Sequence, residues 1–391
     1  MTPNPAIGVV FHWLGGLASG SFYVPYRKVK LWSWETYWLA GGIFSWIVAP
    51  WVIGGVMTNH LLTTVQTAPP ATLFWVYFFG LLWGFGGLTF GLTMRYLGMS
   101  LGMAVVLGFC AAFGTLMPPL FAGEFLTKVL RTHSGLVILA GVGVCLAGIT
   151  IAGLAGMSKE GEMSPEEKTA IIKEFNFKRG VAVAVFSGVM SACFSYGLAA
   201  GDPIRAITLG HGTATLWQGL PVLVVLLLGG FTTNFIWCVI LHVRNRSGRE
   251  YFTAAIGEHA DGDESALVFE NATDAPGEQM VKLMVKEAPP RQLVRVPMLS
   301  NYLFCALAGT TWYFQFFFYT MGETQMGIYK FSSWTLHMAS IIIFSSLWGI
   351  GLHEWRGTSR RTRALLALSL IVLVGSTVIV GYGNYLGTLP G

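Results

Sequence analysis

The feature that most constrains this chain is a series of apolar segments, each about as long as a helix that crosses a bilayer. A crossing helix needs about 20 apolar residues, and we find ten such segments in the 391-residue sequence. They cover residues 5–26, 36–57, 71–94, 99–122, 134–156, 180–201, 209–241, 298–321, 328–352 and 364–387. The seventh segment is long, and we expect it to start with an interfacial turn. Only 11% of the residues are charged, against roughly 25% in soluble domains. The sequence therefore predicts an all-α integral membrane protein with ten transmembrane helices, and it excludes a disordered chain, a nucleic-acid-binding protein and an ordinary soluble enzyme.

The basic residues indicate how these helices are oriented. Of the 24 Lys and Arg residues, all but four fall in the odd-numbered connections between segments. Connections rich in Lys and Arg face the cytoplasm. We therefore expect the odd connections to be cytoplasmic and both termini to face outside. The lipid bilayer is thus one expected partner, whereas the oligomeric state is left open.

Two of the predicted cytoplasmic connections are long. Residues 157–179 contain Ser-Pro-Glu-Glu at 164–167, a sequence typical of a helix start, which predicts a short helix to about Phe175. Residues 244–296 form a polar insert whose Gly, Asp and Pro content predicts a loosely ordered loop. A small regulatory domain is the alternative for this insert, in which residues 280–286 would suit a strand.

Short motifs recur between the two halves of the chain. The first segment has Gly16, Ser19 and Phe22 where the sixth has Gly188, Ser191 and Phe194, and the third has Trp83 and Phe85 where the eighth has Trp312 and Phe314. Five segments per half make the halves antiparallel, and inverted repeats of this kind build transporters whose substrate site lies near the midplane. We therefore expect one five-helix repeat at 1–156, a connection at 157–179 and a second five-helix repeat at 180–391.

Two motifs of soluble catalysis, and the signatures of cofactor binding, are missing from the sequence. It has no G-x-x-x-x-G-K-[ST] and no H-E-x-x-H motif. Its five cysteines lie in five different apolar segments without a C-x-x-C pair, as is typical of small buried side chains. We expect no enzymatic activity, no metal and no cofactor, with an intramembrane enzyme as the alternative.

Only two ionisable residues, His12 and His337, lie well inside predicted helices on the flanks of the expected cavity. An ionisable residue inside a membrane helix indicates function by default. Imidazole titrates near physiological pH, which suits the binding and release of a proton. Both histidines are therefore candidates for proton coupling. The alternative is a neutral imidazole that forms a hydrogen bond between helices.

Polar and aromatic side chains share helix faces with these histidines. A sugar presents hydroxyl groups and an apolar ring face, which require hydrogen-bonding side chains and aromatic rings. The candidates for substrate binding are Trp83, Trp312, Gln315, Tyr319, Lys330, Ser333 and Trp334. For Gln315, a hydrogen bond between helices is the alternative.

At the expected cytoplasmic face, Glu35 and Arg95 are candidates for an ion pair that closes an inner gate. Glu35 begins the second segment, and Arg95 ends the third segment on the same side. Two alternatives for Glu35 remain open: direct coupling to the transported ion, or a charge exposed to solvent.

Four stretches of the sequence carry a family resemblance. They are FHWLGG at 11–16 with FYVPYRKVKLWSWET at 22–36, GLTMRYLGMS at 91–100, WYFQFFFY at 312–319 and SWTLHM at 333–338. In this order, they resemble the bacterial L-rhamnose–proton symporter family, which belongs to the drug/metabolite transporter superfamily. The resemblance implies ten helices in two inverted halves, a location in the bacterial inner membrane, and import of L-rhamnose with a proton. The charge count, not the resemblance, predicts that both termini are periplasmic. His12, Glu35, Arg95, Gln315 and His337 lie within the matching motifs.

The sequence departs from the family pattern at three places. The insert at 244–296 is longer, Gly86-Gly87-Leu88 replaces a more polar stretch, and Lys330 stands in place of an acid. These departures bear on the substrate more than on the fold.

Together, the residues and the resemblance predict a secondary transporter that works by alternating access. A proton binds at His12 or His337 from outside, the sugar binds against Trp312 and Gln315, and both leave inward past Glu35. One alternative is a transporter for another small sugar, polyol or metabolite, including one coupled to sodium. Another is a membrane sensor or interaction protein that acts through the 244–296 insert.

Overall fold

The structure is a computed structural model that describes residues 3–164, 176–257 and 293–389, and these residues are almost entirely helical. The first half contains α1 (Pro5–Ser21), α2 (Tyr23–Tyr26), α3 (Trp34–Gly42), α4 (Ala49–Met57), α5 (Leu61–Thr67), α6 (Pro70–Leu97), α7 (Met99–Phe121) and α8 (His133–Gly161). The second half contains α9 (Phe177–Ala200), α10 (Asp202–Gly210), α11 (Leu220–Asn245), α12 (Met298–Thr324), α13 (Ser333–Gly351) and α14 (Arg360–Leu386).

The lengths of these helices confirm the all-α membrane class. Within the described residues, nine stretches are long and apolar enough to cross a membrane. The helix α12, with 27 residues, is one further long helix and coincides with the eighth predicted segment. The arrangement therefore agrees with the ten predicted segments.

Short non-α segments complete the chain between these helices. Two are π-helical, Ile43–Val48 and Phe125–Leu130, and three are 3₁₀-helical, Thr215–Trp217, Ser247–Tyr251 and Gly327–Ser332. The π segment at Ile43–Val48 joins α3 and α4 into one continuous second crossing. The 3₁₀ segment at Gly327–Ser332 leads from the turn after α12 into α13.

The seventh predicted segment, 209–241, contains a turn near its start, as its length led us to expect. The helix α10 ends at Gly210, and Gly212 adopts a φ of 78° that favours glycine. The helix α11 then begins at Leu220 with Pro221 in its first turn, where the missing N–H of proline costs nothing. The crossing helix is therefore α11, and α10 is a separate short helix before it.

The ends of the polar insert are ordered, which the sequence did not predict. After α11 comes the 3₁₀ segment, followed by strand β1 (Ala255–Gly257), which pairs antiparallel with β2 (Leu293–Arg295). This pairing brings the two ends of the insert together beside the start of α12. The 280–286 stretch and the predicted short helix to about Phe175 lie outside the described residues.

The two halves of the chain make matching sets of helix contacts. The helix α1 of the first half packs against α12 and α13 of the second half, and α9 of the second half packs against α6 and α7 of the first. The repeated motifs meet in the same way: Phe22 lies 6.5 Å from the Trp312 ring, and Phe194 lies 5.0 Å from the Trp83 ring. The two tryptophan rings themselves are 5.7 Å apart. This exchange of partners is what an inverted repeat produces.

Candidate functional site

The two predicted proton-coupling residues, His12 and His337, meet at one tyrosine. Both imidazoles are fully buried, and Tyr319 is 2% exposed. The centroid of the Tyr319 ring lies 5.2 Å from that of His12 and 5.2 Å from that of His337, with edge-on geometry in both contacts. The helices α1 and α13 both flank α12, so three helices bring these rings together.

The nitrogens of both imidazoles have no hydrogen-bond partner among the described residues. The backbone of the two histidines does accept a side-chain hydrogen bond, because the Ser340 hydroxyl donates to the carbonyl oxygens of His12 and His337 at 2.9 Å each. Buried polar groups are almost always paired, since leaving them unpaired is costly. The ring nitrogens are therefore available to a proton or a ligand, and the alternative of an imidazole bonded between helices finds no partner in the described part of the chain.

Two glycines allow the helices to approach these rings closely. A Cβ atom added at Gly322 would lie 2.8 Å from Nε2 of His12. One added at Gly15 would lie 2.8 Å from the carbonyl oxygen of Gln315 and 3.6 Å from Nδ1 of His337. A side chain at Gly322 would displace the His12 imidazole, and one at Gly15 would clash with the backbone of Gln315. Both glycines therefore allow α1 and α12 to pack closely beside the histidines.

Unpaired polar groups also come from the neighbouring predicted residues. Gln315 is 4% exposed, and its amide nitrogen has no partner among the described residues. The same holds for the hydroxyl groups of Ser333 and Tyr313. The face of α12 that carries Tyr319 and the start of α13 thus supply hydrogen-bonding groups beside the histidines.

The three predicted substrate-binding tryptophans belong to one aromatic cluster. Trp83 and Trp312 contact each other, and both also contact Phe316. Trp334 stacks on Phe194 at 5.9 Å. The indole N–H of Trp334 already donates to the carbonyl oxygen of Cys110 at 3.0 Å, so this residue offers a ligand its ring face only.

The centre of the protein is closed around Trp312. The gap beside this ring, lined also by Phe22, Trp38 and Trp46, measures about 10 Å³. Binding pockets for small molecules have volumes of roughly 300 Å³ or more. A molecule the size of a sugar would fit beside Trp312 only after the surrounding helices separate.

A cavity of about 410 Å³ lies between α7 and α8. Its lining is apolar except for Thr150. Such a surface has no groups that recognise a row of hydroxyls, so the cavity does not suit a sugar.

Lys330 lies apart from the histidines, in a set of four charged residues that we call the Arg205 cluster. It consists of Asp202, Arg205, Glu323 and Lys330. The buried guanidinium of Arg205 contacts Asp202 at 2.9 Å and Glu323 at 2.6 Å, and Lys330 contacts Asp202 at 2.6 Å. The sequence did not single out Arg205 or Glu323 as site residues. The available signal was that Arg205 is one of only four basic residues in the even-numbered connections.

Glu35 is buried and accepts hydrogen bonds from two neutral groups. They are the Asn245 amide at 2.9 Å and the Ser247 hydroxyl at 2.6 Å. The Arg95 side chain lies outside what the structure describes, so its pairing with Glu35 stays a prediction. The observed contacts tie the start of α3 to the end of α11 and to the ordered end of the polar insert.

Within the described residues, no group of three or more His, Cys, Asp or Glu side chains is arranged to hold a metal ion. The groups around the two histidines are imidazole, amide, hydroxyl and aromatic side chains. These groups suit the binding of protons and of neutral polar molecules.

Comparison with known proteins shows the family to which the chain belongs. The chain matches the family described as L-rhamnose-proton symport protein (RhaT) over residues 1–256 and 280–385. It is 34% identical over 380 residues to the L-rhamnose-proton symporter of Cronobacter sakazakii, covering 96% of this chain and 97% of that one. It is 33% identical over 380 residues to the symporter of the same name from Klebsiella pneumoniae, with coverage of 96% and 97%. The internal gap in the family match, 257–279, lies inside the polar insert.

Proposed function

Because the chain belongs to the L-rhamnose-proton symport family, we propose that it imports L-rhamnose together with a proton across the bacterial inner membrane. The relatives carry this activity in their names, and the chain shares about a third of its residues with them over nearly its whole length. The long apolar helices suit a multi-pass transporter rather than an enzyme.

The observation that carries this proposal is the pair of buried imidazoles at Tyr319. Their four ring nitrogens are unpaired within the described residues, in a protein whose spanning helices contain very few ionisable groups. A membrane protein retains such a group at a cost. Proton binding at His12 or His337 explains why that cost is accepted here.

The sugar binds beside these histidines in our proposal. Gln315, Tyr319 and Ser333 supply hydrogen bonds to hydroxyl groups, and Trp312 with Trp83 supplies an aromatic surface for the apolar face of the sugar ring. The ring of Trp334 closes the site from the side of α13. Lys330 contributes from the outer end through its contact with Asp202 rather than by direct contact with the sugar.

Transport proceeds by alternating access between two inverted five-helix repeats, residues 1–156 and 180–391, joined by 157–179. The division into two repeats is supported by the helix contacts, because α1 packs on two helices of the second half and α9 packs on two helices of the first. The small gap beside Trp312 supports alternating access, because the helices must separate before a sugar fits there. On the charge count, both termini face the periplasm. The His12 side of the molecule then faces the periplasm too.

Glu35 closes the cytoplasmic side in this scheme. Its contacts with Asn245 and Ser247 join α3 to α11, which belong to different halves. Rocking of the halves breaks these contacts and opens the inner side, and Arg95 is the predicted charge partner of Glu35 in one of the two states.

Uptake of labelled L-rhamnose into proteoliposomes tests the proposed function. With an inward proton gradient we expect the internal sugar concentration to rise above the external one, and a protonophore to abolish this accumulation. Replacement of sodium by potassium should leave accumulation unchanged. Accumulation that depends on sodium, or selective uptake of a different sugar, would contradict the proposal.

A further inference from the structure

The Arg205 cluster lies one helical turn from Tyr319, at the end of the molecule that we propose faces the periplasm. Glu323 follows Tyr319 by four residues on α12, which puts both side chains on the same helix face. The intervening Gly322 packs against Nε2 of His12. The carboxylate therefore lies directly beyond the imidazoles on the path to the outer surface.

The cluster has a buried part and an exposed part. The side chains of Arg205 and Glu323 are 8% and 11% exposed, whereas those of Asp202 and Lys330 are 50% and 43% exposed. Exposed ion pairs contribute little to stability, but a buried pair depends strongly on both partners. The contact between Arg205 and Glu323 is therefore the one whose loss changes the structure.

This contact joins parts of the chain that are far apart in sequence. Arg205 belongs to α10, which connects the sixth and seventh crossings, and Glu323 ends α12, the eighth crossing. Both residues line a cavity of about 300 Å³, whose lining also includes Gln218 and Thr320. Separation of α10 from α12 would extend this cavity inward toward Tyr319 and His12.

We propose that the Arg205–Glu323 ion pair is the outer gate, and that Glu323 is the first residue to take up the proton from outside. A proton on Glu323 removes the negative partner of the buried guanidinium and so favours separation of α10 from α12. The charged and titratable groups that face Glu323 are Arg205 and Asp202 on α10, Lys330 on the segment after α12, and Tyr319 on its own helix, with His12 behind Gly322. The proton then passes inward to the histidines. This inference rests on the proposed function for its role in transport, but the gate itself can be tested without sugar.

Accessibility of the cavity tests the gate. Thr320 is 1% exposed and lines the cavity, so a Thr320→Cys variant reports opening through its rate of reaction with a membrane-impermeant maleimide in detergent solution. Adding Glu323→Gln, which imitates the protonated carboxyl, should raise this rate roughly fivefold or more, the usual size of a coupling between two conformations. Lowering the pH should bring the parent rate up to that of the Glu323→Gln variant, and comparison of the two at each pH removes the pH dependence of the thiol itself.

A matched control is available at the same end of the molecule. Glu124 pairs with Lys128 at 2.7 Å, and both side chains are exposed, so Glu124→Gln should leave the labelling rate unchanged. If Glu323→Gln reduces the yield of folded protein, the double variant Arg205→Gln with Glu323→Gln removes both charges and should also label fast. Equal labelling rates in the parent, Glu323→Gln and the double variant at all pH values would overturn the gate.

The proton role is tested separately in proteoliposomes. Glu323→Gln should still exchange labelled for unlabelled L-rhamnose at equal pH on both sides, which needs no net proton movement, but should lose gradient-driven accumulation. Accumulation equal to wild type with an unchanged pH profile would overturn the proton role, and so would loss of exchange as well as accumulation in folded protein. Failure of the wild-type protein to accumulate L-rhamnose would instead contradict the proposed function. The labelling rates would then still show whether the Arg205–Glu323 ion pair controls access to the cavity.

Discussion

Two regions of the molecule are built from corresponding helices but carry different chemistry. Around Tyr319, α1, α12 and α13 bring two imidazoles together. Counted from the repeated motifs, His12 corresponds to Ala184 in α9, and Tyr319 corresponds to Phe90 in α6. Ala184 is fully buried in an apolar cluster with Val106, and Phe90 packs against that cluster.

The difference separates what the fold needs from what the function needs. The same kind of helix crossing forms with alanine and phenylalanine where α9 meets α6 and α7, so packing alone does not require an imidazole or a phenol at the related positions. Buried polar groups without partners reduce stability. We infer that His12 and the hydroxyl of Tyr319 are retained for transport, and that only the group formed by α1, α12 and α13 carries the proton chemistry.

The largest expected effect comes from making the first region more like the second. His12→Ala gives α1 the residue that α9 has at Ala184, so we expect the fold to be retained. Gradient-driven accumulation of L-rhamnose in proteoliposomes should be lost, because the variant lacks one of the two proton-binding rings. Thermal unfolding and size-exclusion chromatography check that the protein is folded.

A histidine outside the cluster provides the control for this experiment. His211 lies at the end of α10 and pairs with the Thr64 hydroxyl at 2.8 Å, so His211→Ala should retain accumulation. Full accumulation by His12→Ala would show that the contrast between the two regions has no bearing on coupling.

A smaller effect is expected from Tyr319→Phe, which matches Phe90 and removes a single hydroxyl. The aromatic contacts with His12 and His337 remain possible, so the cluster should keep its shape. We expect the initial rate of gradient-driven uptake to fall about tenfold, equivalent to about 1.4 kcal/mol, as for the loss of one hydrogen bond. An unchanged uptake rate would show that the Tyr319 hydroxyl takes no part in transport.

The paired tryptophans test whether the sugar binds symmetrically between the halves. Trp312→Phe should weaken L-rhamnose binding by roughly threefold to tenfold, the size of one lost aromatic contact. Trp83→Phe should have the smaller effect, because Trp312 shares its helix with Gln315 and Tyr319. Binding measured by titration calorimetry distinguishes the cases, and a larger loss in Trp83→Phe would place the sugar in the other half.

The smallest effect is expected from Lys330→Gln at the exposed edge of the Arg205 cluster. Its ion pair with Asp202 is half exposed, so we expect a loss of stability below about 1 kcal/mol. Transport measured at saturating L-rhamnose should stay close to wild type. A severe loss of sugar affinity would instead restore Lys330 as a direct substrate ligand.

Sequence reasoning predicted the crossings well because bilayer thickness and apolar length leave little freedom. It also selected His12 and His337, since ionisable residues inside membrane helices are rare and costly. It did not predict that Tyr319 lies between them, because that contact depends on how α1 and α13 pack on α12.

The Arg205 cluster shows a second limit of the sequence. Arg205 and Glu323 are 118 residues apart, and each lies near the end of a predicted crossing, where charged residues are ordinary. Their burial follows from the fold of α10 against α12. For the seventh segment, the length predicted a turn near the start. The position of that turn at Gly212 and the separate helix α10 were not predicted, because the surrounding stretch is mostly apolar.

Proton movement measured together with sugar movement tests the central claim most directly. Wild-type protein and His337→Ala are placed in proteoliposomes in weakly buffered medium, and the external pH is followed after L-rhamnose is added without a pH gradient. We expect sugar entry through the wild-type protein to make the external medium more alkaline, because protons enter with the sugar. We expect folded His337→Ala to give no pH change. A wild-type pH response in His337→Ala would contradict the assignment of proton coupling to the cluster at Tyr319.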